Sequence, residues 1–212
     1  MKMSFSLAFT AIAALLAASL PAATDVTWTG TPLTASSTSI RTDGTLKYAY
    51  ARGDYTANGV AFSSQASEGG ISNPNCSVNI THGSGAGSLP GDVETGGYKD
   101  LLSSGWYASA ATRQVTLKNL AVGKKYLLQI VAFRSDYSTT HKATAPDEQT
   151  YIKFAGTGWE YGGSLVAEFT ADTTEETFSV VYVNQSWING IQVRELPADG
   201  PVSSRGFYFI CK

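Results

Sequence analysis

Cysteine, histidine and charge are all scarce in this chain, and each scarcity removes a class of protein. Cys76 and Cys211 are the only cysteines in 212 residues, too few for a disulfide scaffold or a thiolate-based zinc site. The histidines, His82 and His141, have no His, Asp or Glu near them at ligand spacing, whereas a zinc centre needs three or four protein ligands. Charged residues make up 15% of the chain, against roughly 25% in ordinary soluble domains. With 15 Lys and Arg against 17 Asp and Glu, the formal net charge is −2, so there is no electrostatic footprint for nucleic acid or an anionic membrane.

Long apolar runs are also missing, except at the start. Lys2 precedes an apolar stretch from Leu7 to Leu20, and Pro21-Ala22-Ala23 follows: a charged segment, a hydrophobic segment and small residues suited to cleavage. This reads as a secretory signal over residues 1–23. A membrane anchor needs about 20 apolar residues, more than this run supplies. The mature chain is therefore expected to be secreted or at the cell surface, mildly acidic and without a transmembrane segment. Export also permits one Cys76–Cys211 bridge, and two free thiols are the alternative.

The rest of the chain is rich in Gly, Ser, Thr and aromatics. Short β-branched and aromatic runs alternate with turn-prone clusters, and no apolar pattern of 3.6-residue period is sustained. Strands are predicted at Val26–Thr29, Thr45–Tyr50, Gly59–Ser63, Ser77–His82, Gln114–Leu117, Lys125–Arg134, Gln149–Phe154, Leu165–Thr170, Thr177–Val183 and Trp187–Glu195. Tyr98–Ser103 is the only helical segment expected, and Gly83–Gly87 is expected to be a flexible loop. Leu120, Gly123 and Tyr126 have the spacing of a corner between two sandwich strands, where the tyrosine hydroxyl bonds upstream backbone. The strand after it is apolar on both faces except at Gln129, as a central strand covered on both sides should be. Thr177–Val183 and Trp187–Arg194, separated by Asn184-Gln185-Ser186, read as a hairpin.

One domain is expected, spanning residues 24–196. Pro197-Ala198-Asp199-Gly200-Pro201 ends it, and the tail to Lys212 carries Gly206-Phe207-Tyr208-Phe209-Ile210, an added edge strand or a segment for self-association. The order Val115-Thr116-Leu117, Leu120-x-x-Gly123-x-x-Tyr126-x-x-Gln129, Glu168–Asp172 and Ile188–Arg194 resembles the closing half of secreted bacterial jelly-roll β-sandwich modules. These modules are similar in layout to galactose-binding-like and carbohydrate-binding domains. The resemblance covers Gly97 to Leu196 and implies an all-β fold, an antiparallel β-sandwich of jelly-roll topology. It brings no binding residue to a numbered position. A fibronectin-type-III-like sandwich is the alternative, but such domains are typically about 100 residues long.

No nucleophile with a base stands out, nor a phosphate loop or a metal motif, so no catalytic residue is assigned and the chain is not expected to be an enzyme. A structural calcium ion held by Asp92, Glu94 or Asp172 lacks a motif to support it, and no cofactor is expected. The aromatics say more. Tyr98, Trp106, Tyr107, Tyr137, Trp159 and Tyr161 fall between predicted strands, and a sugar ring offers an apolar C–H face suited to such planes. Arg134-Ser135-Asp136-Tyr137 and Gly158-Trp159-Glu160-Tyr161 add charged partners at strand ends. The expected ligand-binding set is Trp106, Tyr107, Arg134, Asp136, Tyr137, Trp159, Glu160 and Tyr161, with packing in the core the competing role for each aromatic. The function expected is a non-catalytic extracellular module binding a glycan or other cell-surface polymer. A structural or adhesive surface component is the alternative, and a glycoside hydrolase stands third.

Overall fold

A computed structural model describes residues 23–65, 69–80, 82–85, 89, 91–134, 141–154 and 162–198. Within them the alternating runs become strands β1 (Thr24–Pro32), β2 (Thr45–Ala51), β3 (Tyr55–Ala57), β4 (Val60–Ser64), β5 (Ile71–Ser72), β6 (Cys76–Val78), β7 (His82–Gly85) and β8 (Ser104–Ser109). The second half supplies β9 (Thr112–Lys118), β10 (Lys125–Phe133), β11 (His141–Thr144), β12 (Tyr151–Phe154), β13 (Gly162–Thr170), β14 (Glu175–Val183), β15 (Gln185–Ile188) and β16 (Gly190–Glu195). One short helix, α1 (Gly97–Leu102), falls where the sequence predicts it. The protein is all-β.

Three sheets form. One has seven strands in the order β1-β13-β10-β16-β2-β4-β3, one has six in the order β12-β11-β14-β9-β6-β5, and β15-β8-β7 make a small third. Pairing is antiparallel except between β2 and β4. The two large sheets form a sandwich. Leu128, Ile130, Leu165, Ala167 and Phe169 from one meet Val115, Leu117, Phe178, Val180 and Tyr182 from the other in a common core. Full burial of each such Leu, Val or Phe contributes about 1.5–3 kcal/mol, so this seam dominates the stability of the fold.

The chain crosses from β9 to β10 through the tyrosine corner. Gly123 takes φ +78°, a conformation open to glycine without strain, and the Ala121 N–H donates to Tyr126 Oη at 2.9 Å. The seven-stranded sheet is covered on its other face as well. There Val131 and Phe133 join Leu33, Ile40, Phe62, Tyr98, Leu101 and Leu102 in a second core. Gln129 anchors the segment that lies over that face. Its Oε1 accepts from Arg41 N and Gln192 Nε2, while its Nε2 donates to Ser39 O and Ser164 Oγ. Arg194 completes the clasp by donating to the Thr42, Asp43 and Gly44 carbonyls.

The outer face of the six-stranded sheet differs, since among the described residues no element packs across it. Thr112, Gln114, Tyr151, Lys153, Val181 and Val183 are exposed there.

Several expectations need correction. Thr177–Val183 and Trp187–Glu195 do not form a hairpin: β14 pairs with β9 and β11, whereas β15 joins β8 and β16 joins β10 and β2. The cause is Asn189, which breaks the second run. Its backbone N–H donates to Val131 O and its side-chain Oδ1 accepts from Phe133 N, turning the chain from one sheet into another. His82–Gly85 is strand β7 and not loop, because β8 supplies a partner edge for its flexible backbone. Tyr98 lies in α1 with 1% of its surface exposed, inside the second core. Trp106 and Tyr107 lie on β8, not between strands.

Candidate functional site

Neighbours on a strand point to opposite faces, and β8 sends its two aromatics different ways. Trp106 is wholly buried in the main core. Tyr107 lies half-buried on the other face, opposite Trp187 of β15, with ring centroids 6.0 Å apart and planes 21° from parallel. Gly105 makes room for this stack, since a Cβ there would come within 2.7 Å of the indole. Arg134, at the end of β10, closes it: the guanidinium lies 4.3 Å from the Trp187 ring centroid and 5.7 Å from that of Tyr107. Its Nη1 donates to Gln185 Oε1 at 2.6 Å. The structure thus brings Tyr107 and Arg134 together, but as a packed stack in which Arg134 and Trp187 are buried. Asp136, Tyr137, Trp159, Glu160 and Tyr161 lie outside the described residues.

A more accessible aromatic lies elsewhere. Tyr151 opens β12 and is 48% exposed, and it is the one aromatic among the large exposed apolar side chains of the described residues. It borders a groove of about 260 Å³ where the edge strand β12 meets β1 and the start of β13, lined by Gly30, Pro32, Tyr151, Ile152, Lys153, Gly162 and Gly163. The glycines bring the two edges close. A Cβ on Gly30 would lie 2.5 Å from the Tyr151 carbonyl oxygen, and one on Gly163 would lie 2.8 Å from Ile152 Cβ. Residues 155–161, which carry Trp159, Glu160 and Tyr161, connect β12 to β13, and both of those strands line the groove.

Strand alternation sends Ile152 and Phe154 into the core and leaves Tyr151 and Lys153 on the outer face. Across β11, Thr144 lies opposite Tyr151 and Lys142 opposite Lys153. The Lys142 ammonium lies 4.2 Å from the centroid of the Tyr151 ring. Hydroxyls and amides extend from there along the same face: Ser179 Oγ donates to Gln114 Oε1, and the Thr116 and Thr177 hydroxyls are 3.0 Å apart. Tyr151 falls within the predicted strand Gln149–Phe154 and so outside the loop aromatics expected to bind, and alternation along that strand puts it on the same side as Lys153.

A second pair of grooves lies at the other end of the sandwich, around Lys125, Glu168 and Leu196. Charge there is satisfied internally, with Arg41 bridging Asp43 at 2.5 Å and Glu168 at 3.4 Å. The hydrogen bond from Arg41 holds the Asp43 carboxyl below its ordinary range, despite some opposing desolvation. Glu94 braces a turn, accepting from the Ser37 N–H and from the Ser36 and Ser37 hydroxyls, and the Ser37 backbone bond leads in holding its carboxyl below the ordinary pKa range. Glu176 Oε1 similarly accepts from the Asp172 and Thr173 N–H groups. His141 is buried edge-on to Phe154. Among the described residues no three His, Cys, Asp or Glu side chains converge in a way that would hold a metal ion.

Comparison with protein-family models and with curated proteins finds no match for the chain.

Proposed function

We propose that the chain is a secreted or cell-surface module that binds carbohydrate without catalysis, in the groove beside Tyr151. The finer assignment of its sandwich, a jelly roll of the galactose-binding-like kind, belongs to the same proposal. The exposure of Tyr151 carries it. A phenol plane open to solvent at the rim of a groove receives the apolar C–H face of a pyranose, while Thr144, Lys153 and groove backbone offer partners to its hydroxyls. The groove glycines set its width, because they let β1 and β13 approach β12 closely.

A glycan array tests this, run with and without calcium, followed by titration of the best glycan into wild type and Tyr151→Ala. Binding by wild type with a loss of about tenfold or more in the variant is expected, equivalent to about 1.4 kcal/mol. Absence of binding to every glycan under both conditions overturns the proposal.

A structural or adhesive role is the second reading, favoured by exposed Val181 and Val183 on the uncovered sheet face. On that reading the chain self-associates, and the apolar tail after Pro201 is the natural contact. Sedimentation of the mature chain over a wide concentration range decides: a monomer throughout removes this reading.

A further inference from the structure

Two lysines face each other across β11 and β12. Lys142 and Lys153 are directly opposed partners in an antiparallel pair, and Val183 flanks Lys142 on its other side. Like charges directly opposite one another destabilise a sheet. The same outer face shows the usual remedy at its far end, where Lys118 of β9 is the direct partner of Glu175 of β14. Nothing of the kind attends Lys142 and Lys153: among the described residues neither has a carboxylate within ion-pair distance. In a chain carrying only 15 basic residues, this is a positive pair with no ion-pair partner among the described residues, beside the one large exposed aromatic among them.

We infer that the groove is selective for an anionic polysaccharide, one bearing a carboxylate or sulfate on its sugar rings. The inference rests on the glycan-binding reading and specifies its ligand. The sugar ring stacks on the open side of Tyr151, and its acidic group lies against the Lys142 and Lys153 ammoniums. Lys142 is already held near the phenol ring, 4.2 Å from its centroid, so little side-chain freedom remains to be lost when the anion arrives. Lys153 lines the groove itself. The ligand supplies the negative charge that the sheet does not, and the repulsion between the lysines is relieved on binding.

The test titrates polygalacturonate, heparin and neutral galactan into wild type, Tyr151→Ala and the double variant Lys142→Gln/Lys153→Gln, with single-stranded DNA as a fourth probe. Polygalacturonate separates a carboxylate-bearing ligand from the sulfated class that heparin represents. Wild type is expected to prefer at least one of the two acidic glycans over galactan by about tenfold at low salt. The double variant loses that preference, its affinity for the acidic glycans falling about tenfold toward its affinity for galactan, and about 0.5 M salt closes the gap between the two proteins. Its melting temperature stays close to that of wild type, because relief of the opposed like charges offsets loss of the Lys142–Tyr151 contact. Equal binding of acidic and neutral glycans through Tyr151 overturns this inference and leaves glycan binding standing, whereas failure to bind any glycan overturns both. DNA bound as tightly as the acidic glycans also overturns it, since charge alone would then account for the attraction.

Discussion

Replacing Asn189, between β15 and β16, by alanine should damage this protein severely. The side chain is wholly buried and makes hydrogen bonds in four directions. Its Oδ1 accepts from Phe133 N at 2.6 Å and Trp187 Nε1 at 3.1 Å, while Nδ2 donates to Leu102 O at 3.1 Å and Ser104 O at 2.7 Å. These partners belong to β10, β15, the end of α1 and the start of β8, so one amide ties the large sheet to the small one. Alanine leaves two N–H groups and two carbonyls facing apolar surroundings. At about 1–3 kcal/mol for each unsatisfied buried group, with some relief from repacking, the cost is about 3–5 kcal/mol. For a domain of this size that lowers the melting temperature by roughly 10–15 °C. Urea unfolding followed by tryptophan fluorescence measures it, with Ser179→Ala as a control expected within about 0.5 kcal/mol, since that hydroxyl bonds Gln114 at the surface. Asn189→Asp should fare no better at neutral pH, because a carboxylate would face the Leu102 and Ser104 carbonyls. An Asn189→Ala protein melting within about 2 °C of wild type refutes the reasoning.

Burial pushes the Cys76 thiol up to about 12, so iodoacetamide at pH 8 should label it only after unfolding, as peptide mapping would report; rapid labelling of the native protein contradicts its placement. Burial raises Tyr98 to about 12 and also raises Tyr48 and Tyr182. In the unfolded chain thiols ionise near ~8.5 and phenols near ~10, so the unfolded state holds fewer protons in alkali. Stability should therefore be level through neutral pH and fall from about pH 9 toward 12, and a urea midpoint that holds or rises over that range is the contrary result. Gly30→Ala should cost about 1–3 kcal/mol, because its Cβ meets the Tyr151 carbonyl oxygen and forces the groove edges apart; a stability equal to wild type contradicts that contact.

The β-branched runs announced the large sheets, and the corner announced itself through Leu120, Gly123 and Tyr126, because both signals are local. The hairpin failed for a long-range reason: nothing near Asn189 in sequence reveals that it bonds Phe133, 56 residues away. Strand β8 was hidden by Ser104 and Gly105, residues that favour turns until a neighbouring edge pairs with them. Once β8 is known to be a strand, the fates of Trp106 and Tyr107 follow from alternation, one side chain in the core and one stacked on Trp187. The candidate groove was half visible. Outward positions 151 and 153 are readable from β12 alone, but Gly30, Pro32, Gly162 and Gly163 come from two other strands and meet there only in the folded sandwich.

Backbone amide shifts followed by NMR during titration with an acidic oligosaccharide test the central claim most directly. The largest changes should fall on Tyr151, Ile152, Lys153, Lys142, Gly30 and Gly163. Changes centred on Arg41, Asp43 and Glu168 at the opposite end, or none anywhere, would contradict it.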